Sequence, residues 1–143
     1  MSKFERFMKA NKGTKLNEFH AVTKSLCDEE GNPLEWEFRH ITSKENNRLR
    51  NEATKDIPVP GKANMYRQKV DTDKYIASLL VASIVYPDLY DAELQDSYGV
   101  KKPDDLLFAM VDDPGEYMEL ISYIQTLQGF DTTFEDEVEE AKN

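Results

Sequence analysis

The chain has 143 residues, 39% of them hydrophobic and 32% charged, with a formal net charge of -10 and a single cysteine. That length suits one domain. One cysteine excludes an intrachain disulfide, and no run of 18 apolar residues stands in the sequence to cross a bilayer. The charge is uneven: residues 1–70 carry 14 Lys+Arg against 10 Asp+Glu, and residues 71–143 carry 4 against 18. An acidic second half argues against nucleic-acid binding, and the N-terminus has no apolar stretch of the kind a signal peptide needs.

In chain order, Phe4, Phe7 and Met8 fall at i, i+3 and i+4, which predicts a short helix over 2–10. A helix that short is marginal alone, so its apolar face needs this domain or a partner. Residues 16–26 alternate and read as a strand. Asp28 to Pro33 are turn formers, and in the following strand Leu34, Trp36, Phe38 and His40 share a face. The resulting β-hairpin needs a helix or another strand to be stable. Thr42 and Glu45 form a capping-box pattern for a helix to about Thr54. Asp56 to Gly61, with two prolines and a glycine, predict a stop, and 56–72 reads as a mobile loop with a short edge strand as the alternative for 62–70. Asp71 or Thr72 caps a core helix with its body over Lys74 to Tyr86, ended by Pro87. Helices are also expected over Asp91 to Tyr98, from Pro103 through Val111, and over 114–128, before an acidic tail at 131–143. The fold class is therefore α+β: an N-terminal β-hairpin packed on a mainly α-helical C-terminal half, in one domain over 1–143.

Residues with chemistry in them carry little pattern. His20 and His40, with Glu18 nearby, match no metal-ligand spacing and read as structural strand histidines. Cys27 has only Lys24 as a basic neighbour and does not read as a nucleophile. Asp71 and Asp73, Asp104 and Asp105, Asp112 and Asp113, and Glu116 all read as acids at helix starts. No Gly-rich phosphate loop, Gly-x-Ser-x-Gly or His-Glu-x-x-His occurs. The expectation is a binding or assembly protein, not an enzyme, with no cofactor and no metal.

Several segments in order resemble a known family. They include Asp28-Glu-Glu-Gly-Asn-Pro33, Ile41-Thr-Ser-Lys-Glu45, Leu79-Leu-Val-Ala82, Tyr86-Pro-Asp-Leu89, Asp91 to Val100, and Leu127-Gln-Gly-Phe130 with the acidic end Glu137 to Lys142. Over residues 28–143 the chain resembles the tail assembly chaperones of long-tailed phages, the XkdN-like group of PBSX-type Bacillus prophages. The resemblance implies a non-catalytic protein of the bacterial host cytoplasm, absent from the mature virion. It would bind the aggregation-prone tape measure protein and keep it soluble during tail assembly. The tail tube protein and a second copy of the chain stand as further partners, and a frameshifted longer form is known in such families. A structural tail or connector subunit is the alternative. The residues expected to meet a partner are Phe4, Phe7, Met65, Tyr66, Phe130 and Phe134, because each is apolar on a short or polar element. Ordinary core packing is the competing reading for all six.

Overall fold

A computed structural model describes residues 2–130. Two antiparallel sheets and five helices follow one another along the chain. Strands β1 (Glu18–Ala21) and β2 (Glu35–Phe38) are joined by residues 22–34. After them come α1 (Ser43–Glu52), β3 (Thr54–Pro58), β4 (Tyr66–Val70), α2 (Thr72–Ser83), β5 (Ile84–Tyr86), α3 (Ala92–Ser97), α4 (Pro103–Met110) and α5 (Pro114–Leu127). The architecture is α+β, as expected.

The alternation read from the sequence sets the larger sheet. Its strand order is β1-β2-β5. Glu18 faces Phe38 and His20 faces Trp36, so these four side chains share one side; Phe19 faces Glu37 on the other. Trp36 and Phe38 are buried, and α5 closes over them. The Tyr123 ring of α5 stacks on His20 at 4.1 Å and tilts against Phe38 at 5.0 Å. The turn between the strands also forms as read: Asp28 Oδ1 accepts from the backbone N–H of Glu30 and Asn32, both at 2.9 Å, and Gly31 takes φ +85°.

The third strand corrects the expected course of the core helix. That helix was expected through Tyr86, but α2 stops at Ser83, and Ile84–Tyr86 run extended beside β2. Ile84 and Val85 are β-branched, and a residue before proline, here Tyr86, is pushed out of the α region. Pairing then supplies the strand that a lone hairpin needs and buries Ile84.

The second correction falls on residues 56–72. In place of a mobile loop, β3 and β4 pair in register from Thr54 with Val70 to Pro58 with Tyr66. Pro58 is tolerated because it is the last residue of a strand in a two-stranded ladder, where a missing N–H costs little. Pro60 and Gly61, the latter at φ +75°, lie in the turn beyond it. The edge-strand alternative for 62–70 therefore describes β4. A third correction concerns the N-terminus. The helix expected over 2–10 is two single 3-10 turns, Glu5–Phe7 and Lys9–Asn11, separated where Met8 is extended at ψ 151°.

Helix starts follow their capping residues. Asp71, Asp91 and Asp113 each accept backbone N–H groups of α2, α3 and α5. Thr42 and Glu45 form the capping box of α1. Glu45 also receives Arg39, with Nη2 at 2.6 Å and Nη1 at 3.2 Å, while Arg39 Nε donates to the Ala82 carbonyl at 2.9 Å. One arginine thus ties the end of β2 to α1 and α2. Its hydrogen bonds hold the Glu45 carboxyl down from its ordinary 4.5 to about 2. A carboxylate with a depressed folded pKa stabilises fully above its ordinary pKa, and that contribution is lost as pH falls through the folded value. Glu45→Gln is expected to cost about 1 kcal/mol near neutral pH, modest because the pair is partly solvated. The gap from wild type should close between about pH 5 and about pH 2. Urea midpoints measured across that range check both parts.

Gln128, just past α5, fixes the last helix to the sheet and to α2. Its Oε1 accepts from the Ile41 N–H at 3.0 Å, and its Nε2 donates to the Arg39 carbonyl and the Ser83 hydroxyl, both at 2.9 Å. At the other end of α5, Glu116 accepts from the Thr23 hydroxyl at 2.7 Å and the Lys24 N–H at 2.8 Å. A single buried cluster joins the sheet with α1, α2, α4 and α5, and Phe38, Leu106 and Ile124 are fully enclosed in it.

Candidate partner-binding site

Helix α2 sits between α1 and α4 and buries Tyr75, Ile76, Leu79 and Leu80 beneath it. Its opposite stripe is Lys74, Ala77, Ser78, Val81 and Ala82, spaced i, i+3, i+4, i+7 and i+8. The short side chains of Ala77, Ser78, Val81 and Ala82, the first and third of them buried, floor a trough of about 490 Å³. Arg48 and Glu52 of α1, ion-paired at 3.1 Å, form one wall. Pro103, Asp104 and Phe108 of α4, with Tyr90, form the other. Phe108 and Tyr90 are exposed, and the Phe108 ring rests on Tyr117 of α5 at 4.9 Å. Burial there pushes the Tyr117 hydroxyl pKa up, and Asp73 and Asp104 add to the rise. The trough is an open groove with a small-residue floor, aromatic groups on one rim and charges of both signs.

The residues singled out from sequence are scattered relative to this groove. Phe4 and Phe7 are 73% and 86% exposed on the N-terminal turns. Met65 and Tyr66 are exposed at the far end of the β3–β4 hairpin. Phe130 is half-buried against the core, turned back by Gly129 at φ +80°, with its N–H donating to the Gln125 carbonyl at 2.8 Å. Phe134 lies outside the described residues. None of these lines the groove. Phe108 was missed because a lone aromatic in a helical pattern reads as core, Tyr90 because it stands alone in the turn before α3, and the half-buried Ser78 and Ala82 because α2 reads as a helix apolar on most sides.

Among the described residues the chemistry-bearing side chains are spread over the fold. His40 Nε2 lies 4.0 Å from Glu18 Oε2, and Glu18 Oε1 accepts from the Tyr123 hydroxyl at 3.3 Å. That hydroxyl is pushed up to about 12, first by desolvation and then by the Glu18 charge. Cys27 is exposed, with its thiol donating to the Lys24 carbonyl at 3.0 Å. Asp71 caps α2 and meets Lys55 at 3.8 Å. Among the described residues no three His, Cys, Asp or Glu side chains converge as a metal cage, and no helix is long and apolar enough to cross a membrane.

The described residues form a small α+β fold with an open groove along one face of α2. The sequence profile described as the phage XkdN-like tail assembly chaperone protein, TAC, matches residues 4–142, and the chain belongs to that family. It is 29% identical over 122 residues to the uncharacterized protein YqbN of Bacillus subtilis strain 168, covering 85% of this chain and 80% of that one. It is 26% identical over 122 residues to the phage-like element PBSX protein XkdN of the same strain, covering 85% and 81%. The crystal structure of YqbN superposes with a TM-score of 0.74 at 21% identity, covering 92% of this chain and 99% of the other, a likeness of fold.

Proposed function

We propose that this protein is a non-catalytic chaperone that binds the tape measure protein of its phage or prophage and keeps it soluble in the bacterial host cytoplasm while the tail assembles. On this reading it is absent from the mature virion. The observation that carries the proposal is the groove on α2. Small residues on a helical stripe let a second helix approach to about 8–10 Å, and the two walls hold its register. Phe108 and Tyr90 supply the aromatic anchors that docking sites favour. The client element is thus an amphipathic helix, with its apolar stripe against Ala77, Ser78 and Val81. The net charge of -10 keeps the loaded complex dissolved.

Co-expression with the tape measure protein encoded in the same tail module tests this directly. The long protein is expected in the soluble fraction and in pull-downs with this chain, retained in high salt because the groove contact is mainly apolar. A client that stays insoluble and unbound would remove the reading. Recovery of this chain in purified tails would instead support a structural tail or connector subunit.

A further inference from the structure

The larger sheet turns one side away from α5, and that side is built as a row. Phe19, Glu37 and Tyr86 stand opposite one another on β1, β2 and β5. The row depends on a skipped residue. Ile84 faces Phe38, yet Tyr86 faces Glu37, so Val85 is an extra residue in β5. In an unbroken ladder Tyr86 would share the inward side with Ile84; the bulge re-aims it outward. Phe19 and Tyr86 are 62% and 65% exposed. Strands about 4.8 Å apart set them about 10 Å from each other with Glu37 between them. Asn17 Nδ2 donates to Glu37 Oε2 at 2.9 Å. Glu35, two residues earlier on β2, is an exposed second acid on the same side, opposite Ala21. Two carboxylates about 7 Å apart, one of them between two aromatic rings, suit cations spaced i, i+2 on a strand.

The same chain carries that pattern. In the β3–β4 hairpin Lys55 faces Lys69 and Ile57 faces Arg67, so three cations and one apolar side chain share a side. Like charges directly opposite weaken a ladder, so local stability does not account for the Lys55–Lys69 pair. Lys55 reaches Asp71 at 3.8 Å, whereas Arg67 and Lys69 form no ion pair among the described residues. Both are exposed, and the recess that Lys55, Ile57 and Lys69 line with the start of α2 is open. Arg67 and Lys69 stand about 7 Å apart along β4, the spacing of Glu37 and Glu35 along β2. Two sheets meeting outer side to outer side would instead bring the acids of both copies together, which disfavours that arrangement.

We propose that the outer side of β1-β2-β5 in one copy receives the β3–β4 hairpin of another, with Arg67 and Lys69 meeting Glu37 and Glu35 and one cation held between Phe19 and Tyr86. Each copy carries both halves, so the contact runs head to tail. The patch measures about 14 Å by about 14 Å, well below the roughly 800 Å² that each partner of a stable complex buries. Copies therefore join at high concentration and separate on dilution, and at the dilution of an unfolding titration this side is open. On the client-binding reading above, on which this one step rests, copies seated on successive stretches of one long client are held side by side by it.

Sedimentation equilibrium of the full chain, free of client, from about 5 µM to about 500 µM tests the contact. The mean mass is expected to rise above the monomer over that range. It should rise less at about 1 M salt than at about 0.1 M, where the screening length is about 10 Å and not about 3 Å. A hairpin variant, Arg67→Glu with Lys69→Glu, is expected to weaken association at least about fivefold. It removes the Lys55–Lys69 repulsion, so the hairpin itself is not weakened. A sheet variant, Glu35→Lys with Glu37→Lys, is expected to weaken association as much. An equimolar mixture of the two, both folded by circular dichroism, should associate again, because each supplies the reversed charges that the other needs. Phe19→Ala, which changes no charge, is expected to lower association without lowering stability. Four results would overturn the proposal: a monomer at every concentration, association unchanged in the hairpin variant or in Phe19→Ala, association that salt does not weaken, or no recovery in the mixture of folded variants. Because no client is present, the result is separate from that of the co-expression test.

Discussion

Ser78→Trp is expected to abolish solubilisation of the tape measure protein while leaving the fold intact. Ser78 is half-exposed at the centre of the α2 stripe, on the side of the helix away from Leu79 and Leu80. An indole there projects into the groove of about 490 Å³, so it has room and strains nothing beneath it. It fills the space a client helix would need, and a blocked central position in a docking groove costs about 2–3 kcal/mol, or about 30- to 150-fold in affinity. A substitution on this solvent side should change stability by no more than about 0.5 kcal/mol. Titration of a client fragment and a thermal scan read the two quantities separately. Glu93→Trp on α3, exposed and outside the groove, controls for added surface hydrophobicity. Equal binding by Ser78→Trp and wild type would remove the groove from the mechanism.

What the sequence made legible here is mostly local. Three helix starts were readable from Asp71, Asp91 and Asp113, and a fourth from Thr42 with Glu45, because a cap is decided by residues within one turn of each other. The inward face of β2 was readable because Trp36 and Phe38 alternate with Glu35 and Glu37. What failed depended on partners distant in sequence. Ile84 to Tyr86 continue a helical apolar pattern, and pairing with the neighbouring β2 adds to the local bias of two β-branched residues and a residue before proline to make them a strand. Thr54 to Pro58 contain a proline and no alternation, and only β4 makes them one. Tertiary pairing decided against the apolar periodicity in the first case and against the proline in the second.

The same division holds for the surface. Exposure of Phe4, Phe7, Met65 and Tyr66 could be anticipated, since each stands on an element too short or too polar to bury it. Phe130 resembled them in sequence, yet the turn at Gly129 returns it to the core. The groove itself had no sequence signal. Ala77 and Val81 read as widening the buried stripe and are buried, while the exposure of the half-buried Ser78 and Ala82 beside them depends on how far apart α1 and α4 stand.

Phe38→Ala against Phe19→Ala measures how much of the fold rests on one side of the larger sheet. Phe38 is fully buried, faces Glu18 and Ile84 on the neighbouring strands, and meets the Tyr123 ring at 5.0 Å. Removing its ring opens a cavity where β2, β5 and α5 meet, and such truncations cost about 3–5 kcal/mol. Against a usual domain stability of about 5–15 kcal/mol, that is enough to leave the protein near its unfolding midpoint at modest temperature. Phe19 precedes His20 on β1, faces Glu37, and is 62% exposed on the opposite side of the sheet. Its truncation removes no enclosed contact and is expected to change stability by no more than about 0.5 kcal/mol. Urea unfolding of both variants, with the slope unchanged from wild type, gives the comparison. A large loss in Phe19→Ala would mean that the outer face is covered in solution, and the absence of one in Phe38→Ala would contradict the register that sets Trp36 and Phe38 toward α5.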